Sequence, residues 1–492
     1  MRTTNTIKLQ GVGYVPVKVE CEITPGIGIH LVGLADLAVK ESLLRTITAM
    51  QACGYRIPGK KIVINLAPAD LNKSGGSYDL SIALGILAES GQAELPYIES
   101  LVVLGELALD GQVRMIPGAV QAVRAAVDQG FGIILPRANA RELKGLFDDY
   151  KPVYYVENLR EAIEVAGTLK HVECDDRFDR EDEQVEGWWD RITGHVGAKR
   201  ALEIAAAGGH NVLMMGAPGS CRSALAKAVL DILPPMSKDE AMEVSKVYSV
   251  AGRGPWRPTG GRRPFRAPHY SASMAAMLGG GVGECVLPGE VSLANNGVLF
   301  LDEYAELPRA MRDALRGPME DGKVVISRLK SKVEYPTRFQ LIAGTNPCSC
   351  GYHGEGDRCK CTTGQREAYL ASLSGPVCDM LTMHVWVHPE VGGLKGEPAA
   401  VVAERVRKAR ELQMKRQGKL NDELKAAELP ELGDNSKDMA ETLMERMSLS
   451  ARAYTRMLKI ARTIADLEGY EAILPQHLAE AASYRFLDRR TI

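Results

Sequence analysis

Gly216-Ala217-Pro218-Gly219-Ser220-Cys221-Arg222-Ser223 follows the apolar run Asn211-Val212-Leu213-Met214-Met215 and precedes a helical stretch that starts at Ser223. A glycine-rich turn between a strand and a helix is where a phosphate loop belongs, because its backbone amides converge on an anion. The usual pattern is G-x-x-x-x-G-K-[ST], in which lysine reaches the β/γ-phosphates and the hydroxyl holds Mg²⁺. Gly216 and Ser223 keep the outer positions. Cys221 stands where the second glycine belongs, and Arg222 stands for the lysine. Taken alone, the loop also fits a plain strand–helix turn.

Its surroundings decide between the two. Leu299-Phe300-Leu301-Asp302-Glu303 is an apolar strand ending in paired carboxylates. At a nucleotide site the first acid, Asp302, assists Mg²⁺ and the second, Glu303, polarises the attacking water. A further strand, Phe339 to Gly344, leads to Thr345-Asn346 and sets a polar side chain beside the phosphates. Loop, acid pair and asparagine at three strand ends predict an ATP site. Gly216, Ala217, Pro218, Gly219, Ser220, Cys221, Arg222, Ser223 and Asp302 would bind nucleotide. Ser223 and Asp302 would hold Mg²⁺, and Glu303 and Asn346 would be catalytic.

Working outward, the 492 residues exceed one ordinary domain. Residues 1–168 mix strands (Lys61 to Leu66, Leu101 to Gly105, Gly132 to Pro136) with helices after Asp79 and from Gly118 to Gln129. Residues 169–190 crowd acidic side chains around Asp175, Asp176, Asp179, Glu181, Asp182 and Glu183, and read as a solvated linker. Residues 191–396 alternate helix and strand, which predicts an α/β unit with a parallel sheet. Residues 397–492 read as helices: Ala399 to Gln417, Asp438 to Met447, Ala451 to Glu468 and Pro475 to Asp488. Sixty basic against 62 acidic residues leave a formal charge of -2, which excludes a global DNA-coating field. The chain offers neither an apolar run of membrane-spanning length nor an apolar signal core, so a cytoplasmic protein without membrane contact is expected.

Ten cysteines are too sparse for a disulfide scaffold, yet Cys348, Cys350, Cys359 and Cys361 fall within fourteen residues. Four thiolates at short spacing suit Zn²⁺, although C-x-C is tighter than the common C-x₂-C. His353 is a substitute ligand, and four free surface thiols are the plain alternative. A structural zinc site after Asn346 is the expectation.

The run Ala198-Lys199-Arg200-Ala201-Leu202-Glu203-Ile204-Ala205-Ala206-Ala207-Gly208-Gly209-His210-Asn211 resembles the magnesium-chelatase-like AAA+ proteins of the ComM (YifB) family. Arg263 to His269, Pro288 to Ala294, Asn346 to Tyr352 and Ala461 to Leu467 carry the same likeness, which extends over nearly the whole chain. The resemblance implies an AAA+ P-loop core with a helical lid, assembled into a ring, hexameric in similar proteins. It also implies action on DNA, as branch migration during natural transformation. It makes Asn346 the sensor-1 residue and Arg452, on a helix shared with Arg456 and Arg462, sensor 2 and a further ATP-binding residue.

Departures from the family pattern are concentrated in the motor. The family's segment Y-x-x-R-[LI]-S-G-P-L-L-D-R-I-D carries two arginines that are candidates for a finger onto a neighbour's γ-phosphate. Ser372 and Met380 occupy those positions here. Tyr270 and Asn295 stand where histidine is usual. The first domain resembles the Lon-protease-like (S5-type) α+β fold, with Ser77 at the position of the nucleophile. Val120 replaces the lysine base, and a serine without a base is a poor nucleophile, so no protease is expected.

Arg253, Trp256, Arg257, Arg262, Arg263, Phe265 and Arg266 combine cations and aromatics that suit phosphates and stacked bases. Equally, they suit a rigid loop whose arginines pair with carboxylates. The leading expectation is an ATP-binding DNA motor with impaired hydrolysis, working as a homo-oligomer. Its alternative is a non-hydrolysing scaffold subunit that associates with an active paralogue.

Overall fold

The computed structural model describes the chain except residues 34–36, 74, 148–149, 151, 172–186, 253–260, 283–284, 329–330, 374–379, 390–392, 394 and 489–492. The amino-terminal part builds a seven-stranded mixed sheet. Its strands are β1 (Arg2–Gln10), β2 (Gly13–Thr24), β3 (Gly28–Val32), β4 (Lys61–Ala67), β5 (Leu101–Val103), β8 (Gly132–Pro136) and β9 (Val153–Val156). Between β5 and β8, β6 (Glu106–Leu107) and β7 (Val113–Arg114) form a small antiparallel pair. The sheet order is β3-β4-β2-β1-β5-β8-β9. β1 and β4 flank β2 antiparallel to it, whereas β5, β8 and β9 run parallel.

The strands at 61–66, 101–105 and 132–136 form as expected, and so do the helices Asp79–Glu89 and Ala119–Gln129. β1 and β2 escaped the sequence reading. The centre of β1 buries Thr4, Asn5 and Thr6, so polar residues stand where an apolar signature was sought. The Thr4 hydroxyl donates to the Ser81 carbonyl at 3.2 Å and Asn5 Nδ2 donates to the Glu99 carbonyl at 2.8 Å, which satisfies these two inside the core.

The acidic stretch lies mostly outside the described residues. After it, the short helix Trp188–Arg191 buries Trp189 in the cluster of the second unit, beside Ala198, Leu202 and Val402. That unit holds a wholly parallel five-stranded sheet in the order β11-β14-β17-β10-β18. The strands are β10 (Val212–Met215), β11 (Phe265–Arg266), β14 (Val298–Leu301), β17 (Gln340–Thr345) and β18 (Met383–Trp386). Parallel pairing brings the carboxyl ends of β10, β14, β17 and β18 to one edge, where ligands of open α/β sheets bind. Two hairpins project from this unit, β12 (Gly279–Val282) with β13 (Cys285–Pro288) and β15 (Lys323–Arg328) with β16 (Ser331–Pro336).

The carboxy-terminal helices are Ala399–Gln417, Asp434–Arg446, Ala451–Glu468 and Pro475–Ser483. The second begins four residues before its expected start, and the last ends five before Asp488, which instead closes a separate single turn, Phe486–Asp488. These helices pack on Val196–Gly208 through Val406, Ala409, Met457 and Ala461, in one cluster with the sheet. Fully buried His210 joins them, with Nδ1 3.0 Å from Asp422 Oδ1 and Nε2 2.8 Å from Thr463 Oγ1. Among the described residues, no helix is long and apolar enough to cross a membrane.

The first unit docks on the second through helix Ala119–Gln129. Gly118 N–H donates to the Ser249 carbonyl at 3.0 Å, and Gln121 Nε2 to the Lys246 carbonyl at 2.9 Å. Both acceptors lie on helix Lys238–Ala251, whose Met242 packs against the first unit's apolar cluster.

Candidate nucleotide site

β10 ends at Met215, and the loop that follows returns the chain into helix Arg222–Ala228. Gly216 has no alternative here: a Cβ would run into the Val387 carbonyl and come within 2.6 Å of Ser220 Oγ. Cys221 adopts φ 61°, the left-handed region where a side chain costs about 1–2 kcal/mol and glycine costs little. The backbone thus retains the conformation that the family's glycine supplies, with a cysteine strained into it.

β14 delivers Asp302 to the same edge. Ser223 Oγ lies 3.2 Å from Asp302 Oδ2, so the two expected Mg²⁺ oxygens are already neighbours. Glu303 follows at φ 52°, and its N–H donates to Asp302 Oδ1 at 3.0 Å. A non-glycine residue held there at a strand end is the kind of strain that accumulates at working sites.

Arg222 ties the strand ends together. Its Nη1 donates to the Gly216 carbonyl at 2.7 Å and to the Thr345 carbonyl. Both terminal nitrogens lie 3.2 Å from Asn346 Oδ1, and Nη2 stands 3.8 Å from Asp302 Oδ1. The side chain is 9% exposed. Burial pulls its guanidinium below the usual value, and Asp302 opposes that. The positive charge is therefore kept beside the loop, while its terminal nitrogens are occupied by protein oxygens.

Arg452 stands exposed in the first turn of Ala451–Glu468. Arg462 is buried and serves the fold: it pairs with Asp466 at 2.8 Å and donates to the Tyr470 carbonyl at 2.5 Å. The family resemblance named Arg452 over Arg456 and Arg462, which share its helix.

The structure gathers all four clustered cysteines. Their sulfurs lie within 4.8 Å of one another, with Cys348–Cys350 at 3.4 Å, Cys348–Cys359 at 3.8 Å and Cys350–Cys359 at 3.7 Å. Four thiolates about 2.3 Å from one tetrahedral ion would stand about 3.8 Å apart, so the set fits Zn²⁺. The Tyr352 amide pulls the Cys350 thiol down, while burial pushes Cys348 up. His353 is turned to Arg366, with Nδ1 3.1 Å from Nη1, and the four sulfurs form the set without it.

The basic segment divides. Arg253, Trp256 and Arg257 lie outside the described residues. Arg263 pairs with Glu240 at 2.8 Å and Arg266 with Glu290 at 2.6 Å, as the carboxylate-pairing alternative has it. Asn295 is buried and donates to Glu243 at 2.8 Å, whereas Tyr270 is exposed against His269. Ser374 to Asp379 and the Ser372 side chain lie outside the described residues; Met380 is half-buried. In the first unit Ser77 follows a glycine turn, and Val120 is packed in the core with its N–H 3.3 Å from Ser249 Oγ.

Three family profiles match in chain order. Residues 19–139 match subunit ChlI of Mg-chelatase, residues 189–393 magnesium chelatase, subunit ChlI, and residues 396–485 the ChlI C-terminal part. The chain is 41% identical to YifB of Salmonella typhimurium over 493 residues, 98% of this chain and 96% of that protein. It is 40% identical to YifB of Escherichia coli K12 over 492 residues, with the same two coverages. Competence protein ComM of Haemophilus influenzae is 40% identical over 481 residues, 94% of this chain and 92% of its own. At this identity and coverage, the chain belongs to the ComM/YifB family of magnesium-chelatase-like AAA+ proteins.

Proposed function

We propose that this chain is an ATP-binding AAA+ protein that works as an oligomeric ring on DNA, in recombination or transformation, with hydrolysis impaired. The observation that carries the nucleotide reading is the convergence of Ser223, Asp302, Arg222 and Asn346 at one sheet edge. Gly216 to Ser223 would cradle the phosphates, and Ser223 and Asp302 would hold Mg²⁺, which when bound offsets phosphate charge. Glu303 would orient water, Asn346 would contact the γ-phosphate, and Arg452 would approach from the lid. Cys348, Cys350, Cys359 and Cys361 would hold a structural zinc ion.

The DNA part of the reading is supported by kinship with a competence protein, not by the arginines at 263 and 266. A cytoplasmic location accords with this reading. Residues 1–168 would be a Lon-protease-like unit without protease activity, since apolar Val120 stands where a base is needed. Residues 191–396 would be the motor core, 397–492 the lid and 169–190 the linker between units.

A second reading, a non-hydrolysing subunit that joins an active paralogue, is favoured by strained Cys221 and by Arg222, whose donors are occupied. Steady-state ATP turnover with and without single-stranded or forked DNA separates the two. DNA-stimulated turnover supports the motor; binding without turnover supports the subunit; absence of nucleotide binding overturns both.

A further inference from the structure

We infer that the four-cysteine loop is a zinc-dependent clamp on the nucleotide site: metal at these thiols holds the phosphate loop and Asn346 in position. The inference rests on the nucleotide reading above and adds its regulation by metal.

The loop begins at the sensor itself, since Asn346 and Cys348 are separated only by Pro347. It ends in helix Thr363–Leu373, which turns back onto the same strand end, with Tyr369 Oη 3.2 Å from Thr345 Oγ1. Both ends of the thiol cluster are therefore anchored beside Asn346.

The crest of the loop rests on the phosphate loop. Gly351 has φ 84°, and a Cβ there would stand 3.0 Å from Pro218 Cδ and 3.2 Å from its Cγ. The far side reaches β18: Glu355 Oε1 is 3.9 Å from His388 Nδ1, and that ring stacks on Trp386 at 5.9 Å and 15°. Trp386 is in register with Met215, the last residue before the phosphate loop, and Val387 N–H donates to the Met215 carbonyl at 2.8 Å. The loop thus touches the phosphate loop directly and through its neighbouring strand.

Regular secondary structure contributes little to it. Between Cys348 and Cys361 the only helical element is the single turn Gly356–Arg358, and Gly351, Gly354 and Gly356 all have positive φ. Such a chain loses much conformational freedom when it is fixed, and a four-thiolate ion fixes it at four points.

The test uses the full chain, purified under reducing conditions without chelator. Metal analysis should find about one zinc per chain. Removing it with a thiol-competitive chelator should weaken binding of a fluorescent ATP analogue by about tenfold or more, or 1.4 kcal/mol. Zn²⁺ should restore that affinity and added Mg²⁺ should not, with circular dichroism showing the remaining helices intact. Gly351→Ala keeps four thiols, so it should retain zinc and still weaken the analogue. Absence of zinc overturns the metal site. Unchanged affinity after zinc loss, or in a zinc-loaded Gly351→Ala chain, overturns the clamp and leaves the nucleotide reading standing. A zinc-loaded chain that binds no analogue overturns that reading, and the clamp with it.

Discussion

Arg222 and Asn346 are paired, with both terminal guanidinium nitrogens 3.2 Å from the Asn346 side-chain oxygen. On the proposed nucleotide reading, phosphate would compete with the protein for this positive charge. Lysine would offer one compact ammonium in place of a planar fork. Cys221→Gly would also relieve about 1–2 kcal/mol of left-handed strain. The double variant Cys221→Gly, Arg222→Lys should bind a fluorescent ATP analogue about tenfold or more tightly than the parent, with a smaller gain in turnover. Titration beside a steady-state assay checks both parts.

His210 is placed to lock the sheet unit to the lid. Its two ring nitrogens meet Asp422 and Thr463, and it has no exposed surface. His210→Ala would take one hydrogen bond from each partner and leave a cavity at a fully buried position, at a cost of roughly 2–4 kcal/mol. Thr382→Val removes only one hydroxyl from Asp422, 2.8 Å away, and should cost about 1 kcal/mol. Denaturant unfolding of the two variants should show that order.

The nucleotide edge was legible because its residues follow strands whose apolar runs are unambiguous: Val212–Met215, Val298–Leu301 and Gln340–Thr345. The cysteine set was legible from spacing alone. What stayed hidden depends on distant partners. Arg263 and Arg266 left two readings open, phosphate contact or carboxylate pairing, because Glu240 and Glu290, the carboxylates that decide it, lie 23 and 24 residues away. The contact of Gly118 with Ser249 spans more than a hundred residues, and its polar atoms leave no periodic trace. β12 was missed because Gly279, Gly280 and Gly281 lack the side chains that mark a strand.

The joint between the first two units should respond to pH. Glu142 is buried, accepts from Asn139 Nδ2 at 2.6 Å, and is pushed up to about 7 mainly by burial. A carboxyl whose folded value exceeds its unfolded one binds protons preferentially in the fold. Its stabilising contribution is complete below about 4.5 and is lost as pH rises through about 7. The protein should lose roughly 1–2 kcal/mol between pH 6 and 8 from this group. Glu142→Gln should flatten that part of the pH profile of the thermal midpoint. An unchanged profile would count against the assignment.

Asp302 and Ser223 are 3.2 Å apart, and Glu303 and Asn346 stand at the neighbouring strand ends, so the groups proposed to position metal and water are gathered. The family pattern has arginines at the positions of Ser372 and Met380, and these are candidates to meet the developing negative charge on a neighbour's phosphate. Fingers of this kind are worth on the order of 10³–10⁵ in turnover in other phosphoryl-transfer enzymes. The parent should therefore turn over ATP slowly, and Cys221→Gly with Arg222→Lys should leave it slow. Adding Ser372→Arg and Met380→Arg to that background should raise turnover by about tenfold or more, the lower part of the finger range being expected because the new side chains lack evolved support. The gain should appear only at concentrations where the chain assembles, since a finger acts on a neighbour. Glu303→Gln in the same background should remove it. Ordinary AAA+ turnover by the unmodified chain, abolished by Glu303→Gln, would show that neither substitution in the phosphate loop nor loss of the fingers limits this protein.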